Sequence, residues 1–337
     1  MMNDNKIFQP TRRMYYGLDL LKFIMAIMVV AIHTRGFEWP AWLSISLSSF
    51  RDEAVPVFFI ISSFLFFKKV TNNSETNNKI IGHFVCRLAM LYLFWFIVWF
   101  PIIIKEKELL KMSLGDGMES LIHDMLFSYT FHGSWFLSSL LLSVVIVYIL
   151  HYFHLRWIIL FILLLDLIFF YTNGIFPTNC YLWLKSVLRP ELSLTFIYAY
   201  IWVCIGYFMS FPSMEKIYER FSLIYAVILY LLWYILSIDS IALLPVFFLI
   251  QVPLLFIIFH NLKLKEKFVY QVLRNSSILI FIIHFAVYGF LKRVFSTPLM
   301  QSGPFFFFVT FTVTFLISLG ILWLKNKKYF GWLKYAI

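Results

Sequence analysis

Charge is what this chain has least of. Only 13% of its 337 residues are Asp, Glu, Lys or Arg, where a soluble domain carries about a quarter. That shortage, beside 62% hydrophobic residues, excludes an ordinary soluble domain. Cysteine is nearly absent. Cys86, Cys180 and Cys204 are scattered and odd in number, which excludes a disulfide framework and the ligand spacing of a zinc site, so no metal is expected. Acids are scarcer than bases, 17 against 28, but the excess forms no basic stripe or recognition motif, so no nucleic-acid partner is expected. It reads as orientation charge and as attraction to anionic headgroups, which makes membrane lipids the partner. No small-residue cleavage site follows the first apolar stretch, so no cleavable leader is expected. No G-x-S-x-G elbow surrounds a serine, which removes that route to a nucleophile.

What is present is a series of apolar runs long enough to span a bilayer. They fall near 17–34, 54–68, 84–104, 134–151, 157–172, 192–211, 221–237, 241–260, 276–293 and 304–324. The expected fold is all-α, a polytopic transmembrane helical bundle of about ten spans. An even count puts both termini on one side. With the N-terminus inside, inner segments carry twice as many Lys and Arg residues as outer ones, so N- and C-termini are expected in the cytoplasm. No appended soluble domain, low-complexity tract or repeat interrupts residues 1–337, which read as a single domain with an external loop at 105–133. Within that loop Met118–Phe131 is amphipathic, either lying on the outer leaflet or solvated.

The first run, 17–34, contains Asp19, Lys22 and His33. Ionisable groups at membrane depth cost several kcal/mol unless they are paired or line a wet cavity. At ~100° per residue, eleven steps return His33 to within ~20° of the face of Lys22 and place it ~16 Å further along the axis. Asp19, three steps earlier, shares that face. Singly, each has an ordinary reading: a snorkelling lysine, an interfacial histidine, a first-turn acid. Together they favour function. The separation excludes a direct Lys22–His33 hydrogen bond and suits two tasks on one elongated ligand.

Four stretches carry a resemblance. They are Leu18-Asp19-Leu-Leu-Lys22 followed by ten residues and His33, then Ala54-Val-Pro-Val-Phe-Phe-Ile-Ile-Ser-Ser-Phe-Leu65, His132-Gly-Ser-Trp-Phe-Leu137, and Ser277-Ile-Leu-Ile-Phe-Ile-Ile-His284. In this order they resemble the elements of the acyltransferase-3 family of integral-membrane acyl transferases, whose span count is also ten. Four features depart from that pattern, one of them an extra residue inside His132-Gly-Ser-Trp135. Ser63 stands where glycine is usual, Lys22 replaces arginine, and only Arg87 remains of an Arg-x-x-Arg pair entering the third span.

The resemblance implies an enzyme that transfers acyl groups other than amino-acyl groups. It would move an acyl group, acetyl in the first instance, from cytoplasmic acetyl-CoA to a hydroxyl of a surface glycan or lipid-linked sugar. The setting would be a multi-pass protein of a prokaryotic plasma membrane, engaged in polysaccharide modification by O-acetylation. An imidazole suits the base such a transfer needs, and His33 is placed for it, with Asp19 holding Lys22. Lys22 and Arg87 would meet the phosphates of acetyl-CoA. His284 is either a satisfied core histidine or a substrate contact. Trp135 and His132 either belong to an aromatic belt or line the acceptor cleft, and Glu53 is either a boundary charge or a component of the acceptor mouth. The competing class is a transporter or exporter of a polysaccharide or small polar substrate, using the same intramembrane charges as a path.

Overall fold

The computed structural model describes residues 14–36, 47, 50–71, 73–173, 179–188, 192–238, 244–295 and 303–337. The polar lead-in lies outside them through residue 13, as do residues 239–243, which include the first three of the eighth apolar run. Helix makes up 85% of the structure, with no strand among the described residues. The helices are α1 (Tyr16–Thr34), α2 (Ala54–Phe67), α3 (Ser74–Glu106), α4 (Leu114–Phe127), α5 (Ser134–Tyr152), α6 (Arg156–Asn173), α7 (Asn179–Val187), α8 (Phe196–Met209), α9 (Pro212–Glu219), α10 (Leu223–Ile238), α11 (Leu244–His260), α12 (Phe268–Val294) and α13 (Gly303–Leu324). Each of the ten apolar runs falls on one of them. By length and composition, five helices among the described residues can cross a bilayer unaided: α1, α3, α5, α12 and α13. The bent pair α8–α9, with 81° between its helices, makes a sixth if it counts as one span.

The helix ends follow from local chemistry. Asn73 caps α3 by accepting the Thr76 N–H at 3.1 Å, and Ser113 caps α4 by accepting the Asp116 N–H at 3.2 Å, each satisfying an orphan donor of the first turn. The helix α4 occupies most of the amphipathic stretch in the 105–133 loop. Its Leu114, Met118, Ile122 and Leu126 recur every four residues and are all exposed, so the helix presents an apolar stripe.

The central helix is α1. It packs on α2, α11, α12 and α13, and its Leu21, Met25, Ala26, Val30 and Ala31 are fully buried. Asp19 meets Arg274 of α12 near one end, and His33 meets His284 of α12 at the other. The two helices therefore run parallel. Phe23 of α1 contacts Phe315 beyond the middle of α13, whereas Tyr288 of α12 contacts Phe306 near its beginning, so α13 returns in the opposite sense.

The α2–α8 contact shows how the departure at Ser63 is accommodated. Ser63 Oγ donates to the Val203 carbonyl at 2.6 Å. The close approach is provided from the other helix, where a Cβ on Gly206 would stand 2.5 Å from the Ile60 carbonyl oxygen and 3.0 Å from the Ser63 Cβ. Gly206→Ala must therefore push the two helices apart, an overpacking cost of about 1–3 kcal/mol. The expected outcome is a lower melting temperature for the detergent-solubilised protein; an unchanged one contradicts this packing.

Candidate functional site

Near one end of α1, Asp19 is buried and lies 3.5 Å from the Arg274 guanidinium. Lys22, one turn further on, is within electrostatic reach of Asp19, Arg87, Arg274 and Lys69. Four cations, from α1, α3, α12 and the end of α2, thus gather about Lys22, which Asp19 also reaches. Arg87 and Lys69 are exposed, and Lys22 and Arg274 half-buried. Left to themselves, so many like charges repel. Such a cluster is suited to a polyanion that brings its own negative charge.

Arg274 is the residue that the linear reading did not assign to the site. It comes from α12 and lies within electrostatic reach of both Lys22 and Arg87. Arg274 precedes His284 by ten residues, much as Lys22 precedes His33 by eleven. Two parallel helices therefore each carry a cation low and an imidazole about 15 Å higher.

The upper end of α1 and the middle of α12 meet the start of α5 around a cavity of about 260 Å³. His33, His132, Trp135, His284, Tyr129 and Phe285 line it, with Val29, Ile32 and Val55 among its apolar walls. His33 stacks on His284 with ring centroids 5.2 Å apart, and its ring is 4.3 Å from that of Phe285. His132 stacks on the same Phe285 ring at 4.4 Å. The turn before α5 explains how His132 and Trp135 both reach the cavity despite the extra residue between them. Gly133 has φ of 87°, a left-handed conformation that glycine adopts at no steric cost. Ser134 Oγ then accepts the N–H groups of Thr130 and Phe131 at 3.0 and 3.3 Å, closing the turn.

His284 is 1% exposed. Its Nδ1 lies 3.0 Å from the Ile280 carbonyl oxygen. A carbonyl only accepts, so Nδ1 carries the proton and Nε2 is a lone pair. That Nε2 has no hydrogen-bond partner. For His33 no hydrogen bond occurs among the described residues.

Glu53 does not line this cavity. It is fully buried, and both of its carboxylate oxygens accept from the Tyr230 hydroxyl at 3.1 Å, which ties the start of α2 to α10. A separate cluster lies beside a cavity of about 420 Å³, which Tyr15, Glu219 and His260 help to line. There Glu215, Glu219 and His260 bring ligand atoms within 4.8 Å of one another. Glu215 also forms an ion pair with Lys68 and accepts from the Tyr15 hydroxyl at 3.3 Å. Its charge is thus compensated within the chain, and the cluster clasps α2, α9 and α11 together.

The class of protein is set by these features: a helical, membrane-embedded chain with a cation cluster below and an imidazole-lined cavity above. Residues 15–323 match the acyltransferase-3 family, described as an acyltransferase domain. The chain belongs to that family, and with it to the membrane acyltransferases. Among curated relatives it is similar to an amino-acid racemase of Enterococcus faecalis, 28% identical over 144 residues that make up 40% of this chain and 19% of that protein. A second amino-acid racemase of Enterococcus faecalis is 26% identical over 180 residues, 51% of this chain and 23% of that protein. The chain thus spans less than a quarter of the length of these relatives. No solved structure matches it.

Proposed function

We propose that the protein is an O-acyltransferase of the plasma membrane of a prokaryotic cell. It carries an acetyl group from cytoplasmic acetyl-CoA to a hydroxyl of an extracytoplasmic glycan or lipid-linked sugar. What supports this most is the alignment of the cation cluster with the three-histidine cavity along α1 and α12, in a chain of an acyltransferase family. The donor is elongated, with several phosphates at one end and a thioester at the far end of its arm. Lys22, Arg87 and Arg274 take the phosphates, Asp19 holds Arg274 and Lys22 in place, and the thioester lies near His33.

The transfer follows from these roles. His33 receives the proton of the acceptor hydroxyl, and the oxygen attacks the thioester carbonyl carbon. The carbon–sulfur bond breaks, and the departing thiolate recovers a proton as free thiol. Trp135, His132 and His284 surround the acceptor. Ten spans with both termini cytoplasmic fit this arrangement, because α1 and α12, the first and ninth runs, run parallel as odd-numbered spans must. Residues 1–337 form one domain in this reading, and α4 lies on the outer leaflet with its apolar stripe in lipid.

The test uses purified protein in liposomes, with labelled acetyl-CoA on one side and cell-surface polymer on the other. Label is expected in the polymer, and mass spectrometry should locate an added acetyl group. The similarity to amino-acid racemases supports a second reading, in which an amino acid is the cargo of a carrier using the same charges. Amino-acid flux into liposomes free of acyl-CoA, with no label transfer, would establish that reading and displace the first.

A further inference from the structure

The cavity at the upper end of α1 holds two imidazoles with distinct and complementary constraints. His284 has its tautomer set by the bond from Nδ1 to the Ile280 carbonyl, so it offers a ligand one lone pair at Nε2 and no hydrogen. That atom is buried and unpartnered while its ring lines the cavity. A buried acceptor without a donor is costly, so the ligand is the natural source of the missing hydrogen. His33, stacked 5.2 Å away, lines the same space. When neutral it also presents one lone pair.

A simple alcohol has one hydroxyl hydrogen and can serve only one of these two acceptors. If it serves His33, as proton transfer requires, Nε2 of His284 stays unmatched. We infer that the acceptor carries two neighbouring hydrogen-bond donors, as in a vicinal diol or a hydroxyl beside an amine, and that His284 Nε2 accepts from the second donor while His33 deprotonates the first. This rests on the acyltransferase reading for the role of His33 and adds the acceptor's chemical class. His284 is then a substrate contact that selects among acceptors and aligns the reacting oxygen. Trp135, Tyr129 and Phe285 provide aromatic walls for the C–H side of a ring bearing such a diol.

The probes are cyclohexane-1,2-diol and its monomethyl ether, 2-methoxycyclohexanol, with the full chain in detergent. Diethyl pyrocarbonate modifies neutral imidazole nitrogen, and peptide mass spectrometry resolves His284 from His33. In the absence of acyl-CoA the diol is expected to protect His284, with the monoether needing about 10-fold more for the same effect. Equal protection by the two, or none by either over the same concentration range, overturns the inference. In acetyl transfer the native chain is expected to prefer the diol by a similar factor, and His284→Phe to reduce that preference to within about 2-fold. Protection is read without turnover. A chain that transfers nothing yet shows diol-selective protection refutes the enzyme reading and leaves the two-donor ligand standing. Transfer with equal protection does the reverse.

Discussion

Replacing His33 by Ala is expected to abolish acetyl transfer while leaving a folded protein. A positioned general base contributes typically ~10²–10⁴ in rate, and the loss should fall in or above that range. The fold should survive because the ring is only half-buried and holds no hydrogen bond among the described residues. What the variant loses is stacking on His284 and a tilted ring contact with Phe285, worth roughly 0.5–1.5 kcal/mol per aromatic pair. The two readouts are therefore separable: initial rate of label transfer on one side, melting temperature and retention of acyl-CoA on the other. A His33→Ala protein that transfers within a few-fold of the native rate removes the base assigned here. A protein that loses transfer together with acyl-CoA binding points instead to a collapsed seam.

The second large effect is expected at Arg274, and it divides into stability and donor binding. Arg274→Ala leaves the Asp19 carboxylate at membrane depth with less compensation. Breaking a fully buried pair costs about 3–5 kcal/mol. Here the cost should be smaller, because the Arg274 side chain is 34% exposed and Lys22 still faces the same acid. The same substitution removes a charge-assisted contact to the donor phosphates, about 1.5–3 kcal/mol, which corresponds to a rise of about 10- to 150-fold in the KM for acetyl-CoA. Adding Asp19→Asn should restore much of the stability, since no carboxylate is then stranded, but not the KM. Arg274→Lys keeps the charge and loses the fork, so it should fall between. If the KM for acetyl-CoA is unchanged in Arg274→Ala, the cation cluster does not hold the donor.

These two expectations differ in how far they were legible beforehand. His33 was visible because helical periodicity is a local property. Eleven steps at a fixed rotation place it over Lys22 whatever the rest of the chain does. His132, Trp135 and His284 carried family-like patterns, and the structure brings all of them to one cavity with His33. The role of Arg274 was not legible. It pairs with a residue at the opposite end of the sequence, and no rule of spacing within one helix connects it to Asp19. Glu53 is the converse case: it reads as a charge at a span boundary, yet it is fully buried against Tyr230. Whether a polar side chain at the end of a span faces water, lipid or another helix depends on which helix packs beside it.

By itself the sequence determined that this chain is helical and lies in a membrane, because apolar runs of bilayer length leave the backbone no other way to satisfy its hydrogen bonds. It also determined that α1 carries a cation and an imidazole on one face. Only the tertiary structure decided that α12 lies parallel beside α1. That choice sets Arg274 against Asp19 and brings the rings of His33 and His284 to one cavity. Such a decision belongs to side-chain packing between helices, where neighbours far apart in sequence meet and where no periodicity within one helix reaches.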